Sequence, residues 1–212
     1  MEGAKIKITS ISPGVFSQKG FDSCGCYGCA CADACCRYGA DVDQESHRLI
    51  MEHRCYIEKR LGAKLESCFE AKWSEEKDYL GGPSIRAAQR ASGFCMFHLP
   101  DARGCVLFEL AHKQGVPKRI IPSICRLYPL TWSSGKLLVY DEVYGTIEPS
   151  CNCMDPKNIT LRMLFETQKD PIGDIFYIEP AAAAVTALQI PHLLRGTPQN
   201  HLDRMSRKKG IA

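Results

Sequence analysis

Six cysteines fall within thirteen residues, at Cys24, Cys26, Cys29, Cys31, Cys35 and Cys36, and the residues between them are almost all small or singly polar. Thiolates are soft ligands, and four of them satisfy a tetrahedral zinc or the irons of a cluster. Cys26 and Cys29 form a C-x2-C unit, Cys31 and Cys35 a C-x3-C unit, and Cys36 follows directly. Burying all six as apolar side chains would require a far more hydrophobic setting than these spacers offer, so metal ligation is the expected chemistry. Neighbouring side chains diverge, so Cys35 and Cys36 are expected to serve two metal atoms, or one ligates while the other packs. That favours a polynuclear centre or two adjacent sites over a single zinc. The spacers Gly25, Gly28, Ala30, Ala32 and Ala34 leave backbone amides free to approach sulfur, which tunes a cluster. Two four-cysteine zinc sites would use eight of the same thiolates equally well.

Further cysteines lie downstream at Cys95, Cys105, Cys125, Cys151 and Cys153. Within the first group Cys26, Cys29, Cys31, Cys35 and Cys36 are the candidate ligands, with Cys24 an alternative. Cys55 and Cys68 stand in or near helical patterns without cysteine neighbours and are read as packing residues. Arg126, beside Cys125, could donate to cluster sulfur or to a substrate carboxylate. His98 is better read as a satisfied histidine than as a ligand. Asp41, Asp43 and Glu45 suit a helix cap and first-turn acids better than a catalytic carboxylate group. Tyr128 and Trp132 are read as core residues. The chain carries no phosphate loop, nucleophile elbow or dinucleotide fingerprint.

Thirteen of 212 residues are cysteine, an odd number, while the rest of the composition is ordinary for a globular chain at 45% hydrophobic and 24% charged. A disulfide framework belongs to small exported domains. This sequence shows no secretory leader and has the length for its own core, so the thiols are expected to stay reduced in a cytoplasmic, soluble protein. No stretch approaches the roughly 18 apolar residues that cross a bilayer. The net charge of +3 gives no reason to invoke nucleic acid, and Arg204, Arg207, Lys208 and Lys209 read as a solvated basic tail.

Positioning these residues falls to short elements. A strand is expected over Lys5 to Ile11, a turn at Ser12-Pro13-Gly14, and a helix from Asp43 to Leu61, where Leu49, Ile50, Ile57 and Leu61 recur at helical spacing and Gly62 stops it. Short strands are expected between residues 64 and 94, at Cys95 to Phe97 and at Cys105 to Phe108, then a short helix from Glu109 to Gln114. Leu137 to Tyr140 belongs to a hairpin turning at Ser133-Ser134-Gly135. Helices are expected over Ile159 to Gln168 and Ala181 to Ile190. The fold class is α+β: a small irregular cysteine-rich metal-binding domain over residues 1–155, followed by a helical C-terminal extension with a basic tail over 156–212.

The run Cys26-Tyr27-Gly28-Cys29-Ala30-Cys31-Ala32-Asp33-Ala34-Cys35-Cys36, with Gly39-Ala40-Asp41-Val42-Asp43, resembles the opening motif of the YkgJ-like cysteine-cluster family. That family is named for its CxxCxxCC signature and regarded as a zinc- or iron-chelating domain. The resemblance continues through Gly93-Phe94-Cys95-Met96-Phe97 and Gly104-Cys105-Val106-Leu107. It is most specific over Ile121-Pro122-Ser123-Ile124-Cys125-Arg126-Leu127-Tyr128-Pro129-Leu130-Thr131-Trp132. It implies metal binding by the clustered cysteines together with Cys95, Cys105, Cys125 and one of Cys151 or Cys153. One branch is joined to flagellin lysine methylation, where an iron–sulfur cluster is implied. The extra cysteines here allow the first motif to be aligned in several ways. Three functions follow as expectations. The first is a protein holding an iron–sulfur cluster, or zinc or iron ions, for redox, cluster handling or support of a partner enzyme. The second is a cluster-dependent enzyme such as a protein lysine methyltransferase, and the third a structural zinc-binding interaction module.

Overall fold

The structure, a computed structural model, describes residues 5–21, 33–37, 39–76, 80–101, 104–145 and 162–182. Cys24, Cys26, Cys29, Cys31, Cys151 and Cys153 lie outside the described residues, as do the basic tail and most of the helix expected over Ala181 to Ile190.

The chain opens with two short strands, β1 (Ile6–Ile8) and β2 (Ser10–Ile11), and a single helical turn, α1 (Gly14–Ser17). A 3-10 turn, Ala34–Arg37, precedes β3 (Asp41–Asp43), where fully buried Val42 is flanked by two half-exposed aspartates. Asp43 ends the strand and caps α2 (Gln44–Glu52), its carboxylate accepting from the Ser46 N–H at 2.9 Å. The helix expected over Asp43 to Leu61 is two helices, α2 and α3 (Arg54–Leu61), broken at His53. There the imidazole Nδ1 lies 2.9 Å from the Leu49 carbonyl oxygen, which the helical ladder also uses. Gly62 at φ 65° stops α3 in the left-handed conformation that the absence of a Cβ allows.

A 3-10 turn at Leu65–Cys68 leads to β4 (Phe69–Ser74) and β5 (Ser84–Ala87). The strand expected at Cys105 to Phe108 is not formed. Cys105 is extended, but α4 (Val106–Lys113) starts immediately after it. Val106, Leu107 and Leu110 are all buried on one helical face, and the Glu109 carboxylate among them is held by Tyr56 Oη at 2.7 Å and Arg60 Nε at 3.1 Å. The four-residue run reads as strand-like because it is scarcely longer than one helical turn, too short to show a period. Extended pairing survives only as single bridges, Gln89 with Cys95 and His98 with Cys105. After a 3-10 turn (Lys118–Ile120) come α5 (Ser123–Leu127), the hairpin β6 (Leu130–Ser133) and β7 (Lys136–Val139), and α6 (Asp141–Tyr144). The described C-terminal residues form α7 (Leu164–Thr167), α8 (Lys169–Ile175) and β8 (Phe176–Ile178).

Among the described residues three small sheets result: antiparallel β3-β5-β4, mixed β2-β7-β6, and parallel β1-β8. They serve two hydrophobic cores. The first gathers Val42, Ile50, Ile57, Leu65, Leu107 and Leu110 between the antiparallel sheet and α2 to α4. The second gathers Ile8, Val15, Leu137, Val139, Leu164 and Phe176. Burying each such large aliphatic side chain is worth about 1.5–3 kcal/mol. The second core draws on residues 164–178, which the sequence placed in the helical extension. They instead contribute both helices and β8, whose Ile6↔Phe176 register with β1 ties the segment to the start of the chain. Ile124 on α5 packs against both cores, so the helix carrying Cys125 lies at their seam. No described helix is long and apolar enough to cross a membrane.

Candidate metal centre

A cavity of about 570 Å3 opens at this seam, and Cys35, Cys36, Cys95, Cys105 and Cys125 all line it. They arrive from four separate stretches of the chain. Cys35 and Cys36 lie in the Ala34–Arg37 turn. Asp33, held at φ 54°, starts that turn, its carbonyl accepting from the Cys36 N–H at 2.9 Å. The Asp33 carboxylate accepts from the Gly104 N–H at 2.9 Å and lies 3.1 Å from His98 Nε2, so the turn is fastened to the segments bearing Cys95 and Cys105. The Cys95 N–H donates to the Cys36 carbonyl at 2.9 Å, and the Val106 N–H to the Phe97 carbonyl at 3.0 Å. Backbone hydrogen bonds therefore run from Cys36 to Cys95 and on to the start of α4. Arg37 lies over the Phe94 ring at 4.2 Å, and Phe94 stacks on His98, which makes this wall rigid.

The thiols of this cavity act on one another. Mutual hydrogen bonding with Cys35, then burial, then the charges of Cys35, Cys105 and Cys125 push Cys36 far above the ordinary thiol value. Burial, then the neighbouring Cys95, raises Cys105 to about 12. Cys125 rises for the same two reasons, with Cys105, Cys35 and Asp41 adding to it, and Cys95 rises through burial. All described cysteines are free thiols. A buried set of this kind is stable as neutral thiols, or as thiolates around a cation that replaces the lost hydration and cancels the repulsion. The donor set fits a soft metal. Among the described residues, however, no three His, Cys, Asp or Glu side chains are gathered tightly enough to hold one ion.

The other predicted residues divide cleanly. Cys55 is exposed on α3 and Cys68 is fully buried in the first core, its Sγ 3.7 Å from the Lys64 carbonyl, and neither lines the cavity. Burial pushes the Cys68 thiol up to about 11. Arg126 does not line the cavity. Its guanidinium pairs with Asp174 on α8 and reaches Ser123 Oγ at 3.4 Å. Asp43 serves as the α2 cap and also accepts from Ser123 Oγ at 3.0 Å, while Glu45 pairs with Arg48 on the same helix. Asp41 lines the cavity and is bound by Arg86 Nη1 at 3.2 and 3.3 Å. His98 is engaged by Asp33, as expected of a satisfied histidine.

Sequence reasoning missed Arg86, Asp33 and the tyrosines that line the cavity. Nothing around Arg86 marked it. Tyr128, Trp132, Tyr140 and Tyr144 stand at multiples of four residues across a hairpin, a spacing that could have drawn attention to them as a group. Comparison with known proteins finds no matching family model, no similar curated protein and no similar solved structure.

Proposed function

We propose that this chain is a metal-binding protein whose clustered cysteines hold an iron–sulfur cluster, in redox, cluster handling or support of a partner protein. The observation that carries the reading is the sorting of the cysteines. Five of the seven described thiols converge on one cavity, and the two read from sequence as packing residues, Cys55 and Cys68, stay out of it. A sequence that needed only small buried side chains would have no reason to make that division. The resemblance to the YkgJ-like cysteine-cluster family supports the same assignment, since it selects Cys35, Cys36, Cys95, Cys105 and Cys125. Cluster rather than single zinc is favoured by the adjacent pair Cys35–Cys36, whose neighbouring side chains diverge.

In this reading the bound centre supplies redox or Lewis-acid chemistry. The chain's own residues hold the ligands in place: Asp33 fixes the turn of Cys35 and Cys36, and the Cys36–Cys95 backbone hydrogen bond sets the separation of two ligand segments. Aromatic and aliphatic side chains make up much of the rest of the lining. Protein purified without oxygen should be brown and contain iron and acid-labile sulfide in comparable amounts. Two zinc ions per chain with no sulfide, in protein so prepared, would refute the cluster and leave the structural zinc alternative.

A further inference from the structure

Four thiolates more than cancel the positive charge of a zinc ion or of an iron–sulfur core, so a centre built from them is anionic and needs a cation near it. Building on the metal reading, we propose that Arg90 is that cation, and that its charge sets the reduction potential of the bound centre. Arg90 opens the tight turn that leads to Cys95. Its N–H donates to the Phe94 carbonyl at 2.7 Å, its carbonyl accepts from the Gly93 N–H at 2.8 Å, and Gln89 pairs with Cys95 one step further on. The guanidinium folds back over the chain that leaves Cys95, Nη2 donating to the Met96 carbonyl at 3.1 Å and the His98 carbonyl at 3.3 Å. Cys95 lines the cavity and Arg90 does not, so Arg90 acts from behind the ligand loop, through its charge and not as a ligand.

Two observations mark this charge as uncompensated. The acceptors that the Arg90 side chain finds are neutral carbonyls, and among the described residues no carboxylate lies within ion-pair distance of it. The arginine that lines the cavity, Arg86, is by contrast already bound by Asp41. Arg90 Nε is moreover buried and has no hydrogen-bond partner. A half-buried cation held only by neutral groups is costly unless an anion stands near it, and the thiol set becomes that anion once metal converts it to thiolates. The influence runs to the ligand itself. Burial raises the Cys95 thiol, and the Phe97 N–H, then Arg90, then Arg86 act against that rise. Reduction adds one more negative charge to a cluster, so a fixed cation beside its ligand favours the reduced state.

The test uses the whole chain purified without oxygen, with a redox titration of the centre. Arg90→Gln keeps donors for the carbonyls and removes the charge, whereas Arg90→Lys keeps the charge; Arg90→Met is a second neutral variant should the glutamine variant not fold. The neutral variants should lower the equilibrium constant for one-electron reduction at least about threefold, a midpoint about 30 mV more negative at about 59 mV per tenfold. Arg90→Lys should stay within about twofold of the parent. A residue that merely braced the loop would lower metal content and leave the midpoint of the remaining centre in place. An unmoved midpoint in the neutral variants therefore overturns the proposal, as does a lysine variant that shifts as far as they do. Zinc without sulfide in the parent would defeat the cluster reading by itself, and the charge is then read by chelator competition. Arg90→Gln should weaken zinc at least about tenfold and Arg90→Lys less than about threefold, and equal affinities in the two would overturn the proposal.

Discussion

Asp174 on α8 joins the C-terminal segment to the helix that carries Cys125, and replacing it should unfasten the two. Its carboxylate pairs with the Arg126 guanidinium and with Arg119 Nη2 at 2.7 Å and Nε at 3.2 Å. The Arg126 side chain keeps only 9% of its surface exposed, and its Nε already lacks a hydrogen-bond partner. Asp174→Ala therefore strands a nearly buried cation. Breaking a fully buried pair costs about 3–5 kcal/mol, but Asp174 is 34% exposed and water can reach the vacated space, so about 2 kcal/mol is expected. For a chain of this size that lowers Tm by roughly 4–8 °C. Removing the stranded charge as well, as Asp174→Ala with Arg126→Met, should recover part of the loss, because no cation is then left buried. The pH dependence has a fixed sign. Although burial opposes it, the two arginines hold the Asp174 carboxyl below its ordinary value. The stability it lends is thus present above the unfolded carboxyl's pKa and lost as pH falls through the lower folded value. The deficit of Asp174→Ala must shrink as pH is lowered from about 5 toward 2. Thermal denaturation followed by circular dichroism reads both effects. A Tm within about 1 °C of the parent at neutral pH, or a deficit indifferent to acid, would refute the argument.

The remaining predictions concern the cavity itself. Cys105→Ser and Cys125→Ser should each lower metal content of anaerobically purified protein, whereas Cys55→Ser leaves it unchanged. Cys68→Ser should also keep the metal, at a stability cost of about 1 kcal/mol for the hydroxyl it buries near the Lys64 carbonyl. Metal analysis with a parallel melt distinguishes the two cases. Chelation should lower the thermal stability of the parent, since a centre drawing ligands from the Ala34–Arg37 turn to α5 couples metal binding to folding; an unchanged melt contradicts it. Gly39 sits at φ +72°, and a Cβ there would come within 2.9 Å of Arg86 Nη2. Gly39→Ala should cost about 1–2 kcal/mol through backbone strain, the guanidinium swinging aside at little further cost. A neutral effect in chemical denaturation would show that the turn is looser than its geometry.

The first cysteine group was legible in the sequence as a group, because thiol density and spacing are properties of the chain alone. Setting Cys55 and Cys68 aside followed from their helical surroundings, Cys95, Cys105 and Cys125 were picked out by the family resemblance, and the cavity lining makes the same division. Caps were legible too: Asp43 before a helical pattern and Gly62 after one act through their own backbone. Local pattern failed where two periods compete. Val106 to Phe108 is too short to tell a strand from a helix, and burial of Leu107 with Leu110 against the first core settled it in favour of α4. The break at His53 depended on where one imidazole finds its acceptor. Only tertiary structure could bring β8 beside β1 across 170 residues of sequence separation, since the pairing of Ile6 with Phe176 is specified by a shared core and not by either segment. The same holds for Arg126. Its sequence position beside Cys125 suggested a role at the sulfurs, but α5 turns its side chain away from the cavity to Asp174, because adjacent residues on a helix do not share a face.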